Sequence, residues 1–306
     1  MDTNMYENYK TLNDLPVVTI ERKPESKNVI KGVIQILHGM CEHKERYNKM
    51  LDFFTSHGYI CVIPDMRGHG ENVSFYKDYG YFGERGEKLL VEDTYAVNAY
   101  IHNNYPDLPV IMFGHSMGSI VARSFVKKYG NQIDMLFLSG APADSIGKYF
   151  GVILTEILLV IFEEKDNSKL LDKLFYRTMK KRFKSEGRNA WLCSNKEVVA
   201  KYNNDEKCNF TFTLNGYSTL FRLMVDIYSK KKWKNVTPSN RIYFIAGQDD
   251  VCIKNEEHLK AEVDTMKAVG YTKTKYKIFD GMRHEIHNET NREVVWEYML
   301  EKMENI

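Results

Sequence analysis

Residues 111–120 read Ile-Met-Phe-Gly-His-Ser-Met-Gly-Ser-Ile, and the setting of this stretch decides how the whole chain is read. Residues 110–113 are a short apolar run suited to a buried strand, and residues 120–129 have the pattern of a helix. Between them lies Gly114-His115-Ser116-Met117-Gly118. A serine on a tight strand-to-helix turn is held in strained φ/ψ, and the flanking glycines are needed because a Cβ there would collide with the neighbouring chain. The turn exposes the hydroxyl, and the helix N-terminus behind it favours negative charge. Alone, the pattern would arise by chance in roughly one unrelated chain in ten of this length. The remaining strand ends must carry the reading.

They do so. Residues 32–37 run into His38-Gly39-Met40, and residues 59–63 run into Pro64-Asp65-Met66-Arg67-Gly68-His69-Gly70. Far downstream, residues 241–246 end in Gly247-Gln248-Asp249-Asp250, and residues 275–279 in Asp280-Gly281-Met282-Arg283-His284-Glu285. In an open parallel sheet such ends share one edge, where ligands bind. The order Ser116, Asp250, His284 is that of α/β-hydrolases.

These blocks resemble the monoglyceride lipase and lysophospholipase-like branch of the α/β-hydrolase superfamily, often called serine aminopeptidase S33. His38-Gly39-Met40-Cys41-Glu42-His43 fits that branch's HGxxEH block, residues 65–70 its DxRGHG block, and residues 114–118 its GHSMG. The final block fits GxxHE, and Trp191-Leu192, Tyr202, Cys208 and residues 210–213 look like the cap of bacterial members. Asn72 departs from the serine often found after RGHG, a change expected to alter loop packing and leave the chemistry in place. The resemblance implies an α/β-hydrolase fold: a mostly parallel central sheet with helices on both faces and an inserted helical cap.

Composition sets the outer bounds. A chain of 306 residues buries a large core and leaves room for an inserted subdomain. A net charge of +2 argues against nucleic acid as a partner. Basic clusters at residues 180–184 and 230–234 read as solvated faces or loops, with anionic lipid contact as the alternative. Five irregularly spaced cysteines point away from a disulfide framework and from zinc; Cys61 and Cys252 read as small buried hydrophobes. Residues 1–9 lack an apolar signal core, and no apolar run approaches the roughly 20 residues of a membrane span. The expectation is a cytoplasmic protein without cofactor or metal, its oligomeric state left open.

Along the chain, strands are expected at 17–21, 29–37, 59–63, 110–113, 133–139, 241–246 and 275–279, and helices at 44–56, 88–103 and 120–129. This alternation implies a parallel sheet with right-handed crossovers. From about residue 144 to residue 233 it stops. The chain therefore divides into a core segment 1–143, a cap 144–234 and a second core segment 235–306. Residues 151–162 are the most apolar stretch of the cap. They read as a buried cap helix, with an acyl-tunnel wall or a membrane-touching lid as the alternative.

A serine hydroxyl is a poor nucleophile near neutral pH, so it needs a base, and the base needs an orienting carboxylate. His284 is the expected base and Asp250 the carboxylate; periodicity does not separate Asp250 from Asp249, and the resemblance selects Asp250 through its GxxD spacing from Gly247. The oxyanion needs backbone N–H donors, assigned to Met40 and Met117. His38 and His69 read as loop braces, with direct substrate contact as the alternative for either, and His115 is also a candidate for substrate contact. The resemblance suggests a polar head-group pocket at Glu42 and Arg46, with surface charges as the equal alternative. Hydrolysis of a carboxylic ester through an acyl-enzyme leads, with a monoacylglycerol or lysophospholipid as the small-molecule lipid partner. An aminopeptidase-type peptidase would need a cap carboxylate such as Glu156, Glu163 or Glu164. A non-catalytic binder of hydrophobic ligands is the third reading.

Overall fold

The computed structural model describes residues 15–25, 29–176, 179–233, 235–304 and 306, together with the backbone course through Lys180. The N-terminal stretch 1–9, Ser26, the side chain of Lys180 and Lys234 of the second basic cluster lie outside the described residues. Seven strands form one sheet among these residues, in the order β1-β3-β2-β4-β5-β6-β7. They are β1 Thr19–Arg22, β2 Gly32–Leu37, β3 Tyr59–Pro64, β4 Val110–His115, β5 Met135–Ser139, β6 Arg241–Gly247 and β7 Thr274–Phe279. β1 is antiparallel to β3, and every other pairing is parallel.

The central strands are buried along their whole length because helices cover both faces. On one side α1 (Asn48–Ser56) and α10 (Glu293–Met303) bring Met50, Leu51, Phe54, Trp296 and Met299 against Ile34, Ile36, Ile111 and Phe113. On the other, α2 (Gly86–Asn104), α3 (Met117–Tyr129) and α9 (Glu256–Ala268) cover Val33, Leu37, Met112, Leu136 and Phe244. Gln35 is the polar exception inside β2. Its amide nitrogen donates to Thr94 O at 2.9 Å, and its oxygen accepts from Asn98 Nδ2 at 3.1 Å, so burial leaves it satisfied.

Strand boundaries shift where the sheet has no partner to offer. The run expected from residue 29 starts at Gly32, where pairing to Tyr59 begins, and Val29 stays 83% exposed. The helix expected over 44–56 opens with a 3-10 turn, Lys44–Tyr47, before α1 begins. Asn72 fastens the edge: its Oδ1 accepts from Val18 N at 2.8 Å and its Nδ2 donates to Asp65 O.

Between β5 and β6 lie α4 (Gly147–Ile161), α5 (Lys169–Tyr176), α6 (Met179–Arg182), α7 (Lys196–Asn204) and α8 (Leu214–Tyr228). Asn195 caps α7 and Thr213 caps α8, each side chain accepting first-turn amides. α8 packs on α3 and α4, which joins this insertion to the sheet. Gly151 of α4 is needed there, since an added Cβ would stand 2.6 Å from the Phe221 ring of α8.

Register places the functional ends together. Leu37 pairs with Gly114, His115 with Ser139, and Gly247 with Phe279, so the loops after β2, β4, β5, β6 and β7 leave from one edge. Gly118 makes the turn after β4 feasible: an added Cβ would lie 2.3 Å from Leu37 O and 2.5 Å from His38 O. Those are backbone atoms of the neighbouring strand end and cannot swing aside. Gly118→Ala is therefore expected to destabilise the fold by at least about 3 kcal/mol, read as a loss of soluble protein or a lowered denaturant midpoint.

Candidate active site

Ser116 occupies the turn between β4 and α3 with φ 51° and ψ −115°, a conformation that few residues other than glycine adopt. The turn is held by the Ser116 amide, which donates to Ser139 O at 2.8 Å. Such stored strain is expected where a side chain must be presented at one angle. Ser116 is the one half-buried residue in an otherwise buried stretch, and it opens on a cavity of about 580 Å³.

His284 shares that cavity wall. Its Nδ1 donates to Asp250 at 2.9 and 3.0 Å, both carboxylate oxygens lying within reach. Asp250 also accepts from Cys252 N at 2.8 Å, which fixes the carboxylate. Burial opposes charge on the His284 ring, yet the adjacent Asp250 carboxylate raises its pKa well above the ordinary value. Trp191 packs beside the ring at 5.2 Å between centroids, and Cys252 Sγ lies 3.8 Å from Nε2. Gly140 allows the pair to sit over β5: a Cβ there would stand 2.9 Å from His284 Nδ1.

Asp249 points elsewhere. It ion-pairs with Arg182 at the surface, so the neighbouring aspartates are separated by geometry. Met40 and Met117 both line the cavity beside Ser116. Met117 opens α3, where first-turn amides have no intrahelical acceptor. The Met40 amide makes no hydrogen bond among the described residues, whereas the Gly39 and Cys41 amides on either side are taken by Glu42 and His69. Two unspent N–H groups thus flank the serine.

Glu42 and Arg46 form a buried ion cluster. Arg46 donates to Glu42 and reaches Glu285 through two bonds of 2.8 and 2.6 Å. Tyr47 donates to Glu42 at 3.0 Å, and the Arg46 guanidinium lies 4.8 Å over the Tyr202 ring. Burial disfavours the Glu285 carboxylate, but Arg46 holds it well below the usual range. Glu42 and Glu285 touch the cavity while Arg46 stands behind them.

His38, His69 and His115 each have a hydrogen-bond partner. His38 Nδ1 donates to Gly39 O and its Nε2 accepts from Met66 N, both at 2.8 Å. His69 Nδ1 donates to Arg67 O at 3.0 Å. His38 and His69 do not line the cavity; His115 does, with Nδ1 3.4 Å from Ser139 Oγ. Burial pushes all three below the ordinary imidazole pKa, so they are neutral near pH 7.

Several cavity residues carry no motif. Lys148, Lys254, Leu154 and Leu171 line the wall, and among the aromatic ones Trp191 and Tyr202 had a signal in the cap pattern. Residues three and four apart on α4 settle which face turns inward: Phe150, Gly151 and Leu154 reach the cavity, and Leu158 packs on the core instead. Glu156 pairs with Arg222, Glu164 accepts from Tyr81, and Glu163 is exposed; none lines the cavity.

Comparison with known proteins agrees with this architecture. A family model described as serine aminopeptidase, S33, matches residues 28–291. A monoacylglycerol lipase of Mycolicibacterium smegmatis is 29% identical over 118 residues, which is 38% of this chain and 39% of the relative. Phospholipase YtpA of Bacillus subtilis is 33% identical over 100 residues, 33% of this chain and 36% of its own. The aligned stretches thus span under two-fifths of either relative. A thermostable carboxyl esterase from Bacillus coagulans, solved with glycerol, superposes with a TM-score of 0.84 at 27% identity, covering 95% of this chain and 94% of that one.

The aspartates give a direct test. Asp250→Asn is expected to lower kcat roughly 10⁴-fold by favouring the wrong imidazole tautomer, with Asp249→Asn far milder. Removing the Asp250 charge also removes what favours imidazolium, so the His284 pKa falls and the acid limb of the residual pH–rate profile moves to lower pH. A match of the family model over most of the chain, on an α/β-hydrolase sheet with the serine turn in place, makes this protein a member of the serine aminopeptidase S33 family.

Proposed function

We propose that the protein hydrolyses carboxylic esters of long-chain acyl groups through an acyl-enzyme on Ser116. One observation carries this: the strained serine, His284 with Asp250 behind it, and the residues of two unspent amides come together at a single, largely apolar cavity. In the proposed reaction Ser116 Oγ attacks the ester carbonyl carbon as its proton passes to His284 Nε2. Asp250 stabilises the imidazolium, and the Met40 and Met117 amides receive the carbonyl oxygen as it gains charge. Collapse breaks the C–O bond, with His284 giving its proton to the leaving alcohol. Water then repeats the sequence on the acyl-enzyme, releasing the acid and free Ser116.

The names of the relatives support an ester substrate, monoacylglycerol lipase and phospholipase among them. The cavity supports it too. A peptidase selecting a free amino terminus needs an uncommitted carboxylate, and both carboxylates that touch the cavity beside Ser116, Glu42 and Glu285, are engaged by Arg46. Residues 144–234 serve as the cap that supplies the acyl wall. The outer face of α4 leaves Ile153, Ile157, Val160 and Ile161 more than half exposed, which supports transient contact with a membrane surface. No helix of the described residues is long and apolar enough to cross a membrane. An odd set of buried thiols fits a reducing compartment, and we place the protein in the cytoplasm.

A fluorophosphonate probe is expected to label Ser116 alone, and Ser116→Ala to abolish labelling and ester turnover in folded protein. Label on another serine overturns the assignment. Acyl preference tests the cap. Each methylene buried contributes about 0.8 kcal/mol, or roughly fourfold in kcat/KM, until the cavity is full. Leu154→Asp should flatten that rise for long-chain p-nitrophenyl esters and spare acetate. A slope unchanged in the folded variant removes the cap from acyl selection.

A further inference from the structure

We infer that Lys254, with Lys148 behind it, selects esters whose alcohol half carries a negative charge. This rests on the ester-hydrolase reading and narrows its substrate class. The charged side chains of the cavity wall, the triad apart, fall into two groups. Glu42 and Glu285 belong to the Arg46 cluster. Lys148 and Lys254 stand apart from it, around Asp144.

Lys148 is buried, with 4% of its surface exposed, and its ammonium bonds the Asp144 carboxylate. The same ammonium lies 4.7 Å over the rings of both Tyr149 and Tyr228. Asp144 is thereby spent on Lys148. Lys254 Nζ donates to the Asp144 main-chain oxygen at 2.8 Å and meets no carboxylate among the described residues. Two ammonium groups and one carboxylate leave this part of the wall with an excess positive charge. Lys254 is exposed and also lines the cavity, so it stands at the mouth. Its φ of 64° lies in the left-handed region where glycine or asparagine would be easier.

The chemistry fixes which half of the substrate meets this charge. His284 hands its proton to the departing alkoxide, so the alcohol half lies on the His284 side. Cys252 Sγ is 3.8 Å from His284 Nε2, and Lys254 follows two residues later, at most about 7 Å along the chain. A lysine side chain at that point reaches an anion a few bonds beyond the ester oxygen. The acyl half is then left with the apolar wall of Leu154, Leu171 and Phe221.

The test compares octanoylglycerol with two charged analogues, octanoylglycerol phosphate and the octanoyl ester of glycerate, all below their micelle concentrations. Wild type, Lys254→Glu and Asp144→Asn are assayed per active serine, titrated with fluorophosphonate. The quantity read is kcat/KM for each charged ester divided by that for the neutral one. Lys254→Glu is expected to lower this ratio about tenfold or more, in line with loss of a charge-assisted contact. Asp144→Asn should raise it, because it unmasks Lys148, and about 0.5 M salt should compress both effects. The better of the two analogues identifies the anion as phosphate or carboxylate. A ratio unchanged by Lys254→Glu, or lowered by Asp144→Asn, overturns the inference. So does a charge effect seen only with micelles or anionic vesicles, which would place the lysine's action on a lipid surface. If wild type cleaves none of the three esters, the ester-hydrolase reading itself falls, a result distinct from an unchanged ratio.

Discussion

A single buried cation orders the edge of the sheet where the chemistry sits. Arg46 is held between Glu42, in the loop after β2, and Glu285, the residue after His284. Burying three charges costs several kcal/mol for each, a cost offset only when every donor and acceptor finds a partner. Here they do. Glu42 also accepts from Tyr47 and from the Gly39 amide, and Glu285 accepts from Asn288. Glu42 takes the Gly39 amide, while the next residue, Met40, lines the cavity with its amide left without an acceptor among the described residues. Geometry around the serine therefore follows from an ion cluster that does not itself touch the reacting bond.

The same cluster reaches the cap. The Arg46 guanidinium faces the Tyr202 ring, and the Glu285 amide donates to Leu192 O at 2.7 Å. Around it the cap is fastened to the loop after β2. Asn209 N donates to Cys41 O at 3.1 Å, Cys41 Sγ to Phe210 O at 3.0 Å, and His43 Nε2 to Asp205 at 2.8 Å. These bonds all lie on the α7 side of the cap. The α4 side is joined chiefly by packing on α8, and its outer face carries apolar residues to solvent. The insertion between β5 and β6 is thus pinned by directional bonds where it borders His284 and by non-directional packing where α4 borders the cavity, so sequence can vary more freely along the latter.

What the sequence made legible follows the same division. Strand-end motifs were readable because backbone constraints are local: Gly118 must be small wherever a turn packs it against Leu37 O, and Ser116 must accept positive φ. Asp250 could be separated from Asp249 only by family spacing, since what distinguishes them is a surface pairing with Arg182 from 67 positions away. The pairing of Arg46 with Glu285 spans 239 positions and has no periodic signal at all. Glu42 and Arg46 looked alike as pocket residues or surface charges; they are buried partners of each other, and Glu42 alone of the two lines the cavity. The apolar run 151–162 has the same limit. Its composition shows that some face is buried, but which residues turn inward depends on α8, so Leu154 and Leu158 were indistinguishable by period alone.

Electrostatics then explains why one imidazole among many is suited to be the base. His115 and His287 lie in a row behind His284, with centroids 4.7 Å apart at each step. All are buried, and burial alone drives an imidazole toward the neutral form. His115 faces a hydroxyl, and neither ring nitrogen of His287 has a hydrogen-bond partner among the described residues; both stay below the ordinary pKa. His43 has two carboxylate partners and is raised, but it does not border the cavity. His284 alone among these combines an anionic partner on Nδ1 with a place on the cavity wall. Its proton affinity is raised by a charge placed behind it, while its neighbours stay neutral and add no competing positive charge. In the proposed reaction, the proton leaving Ser116 then has one favourable destination.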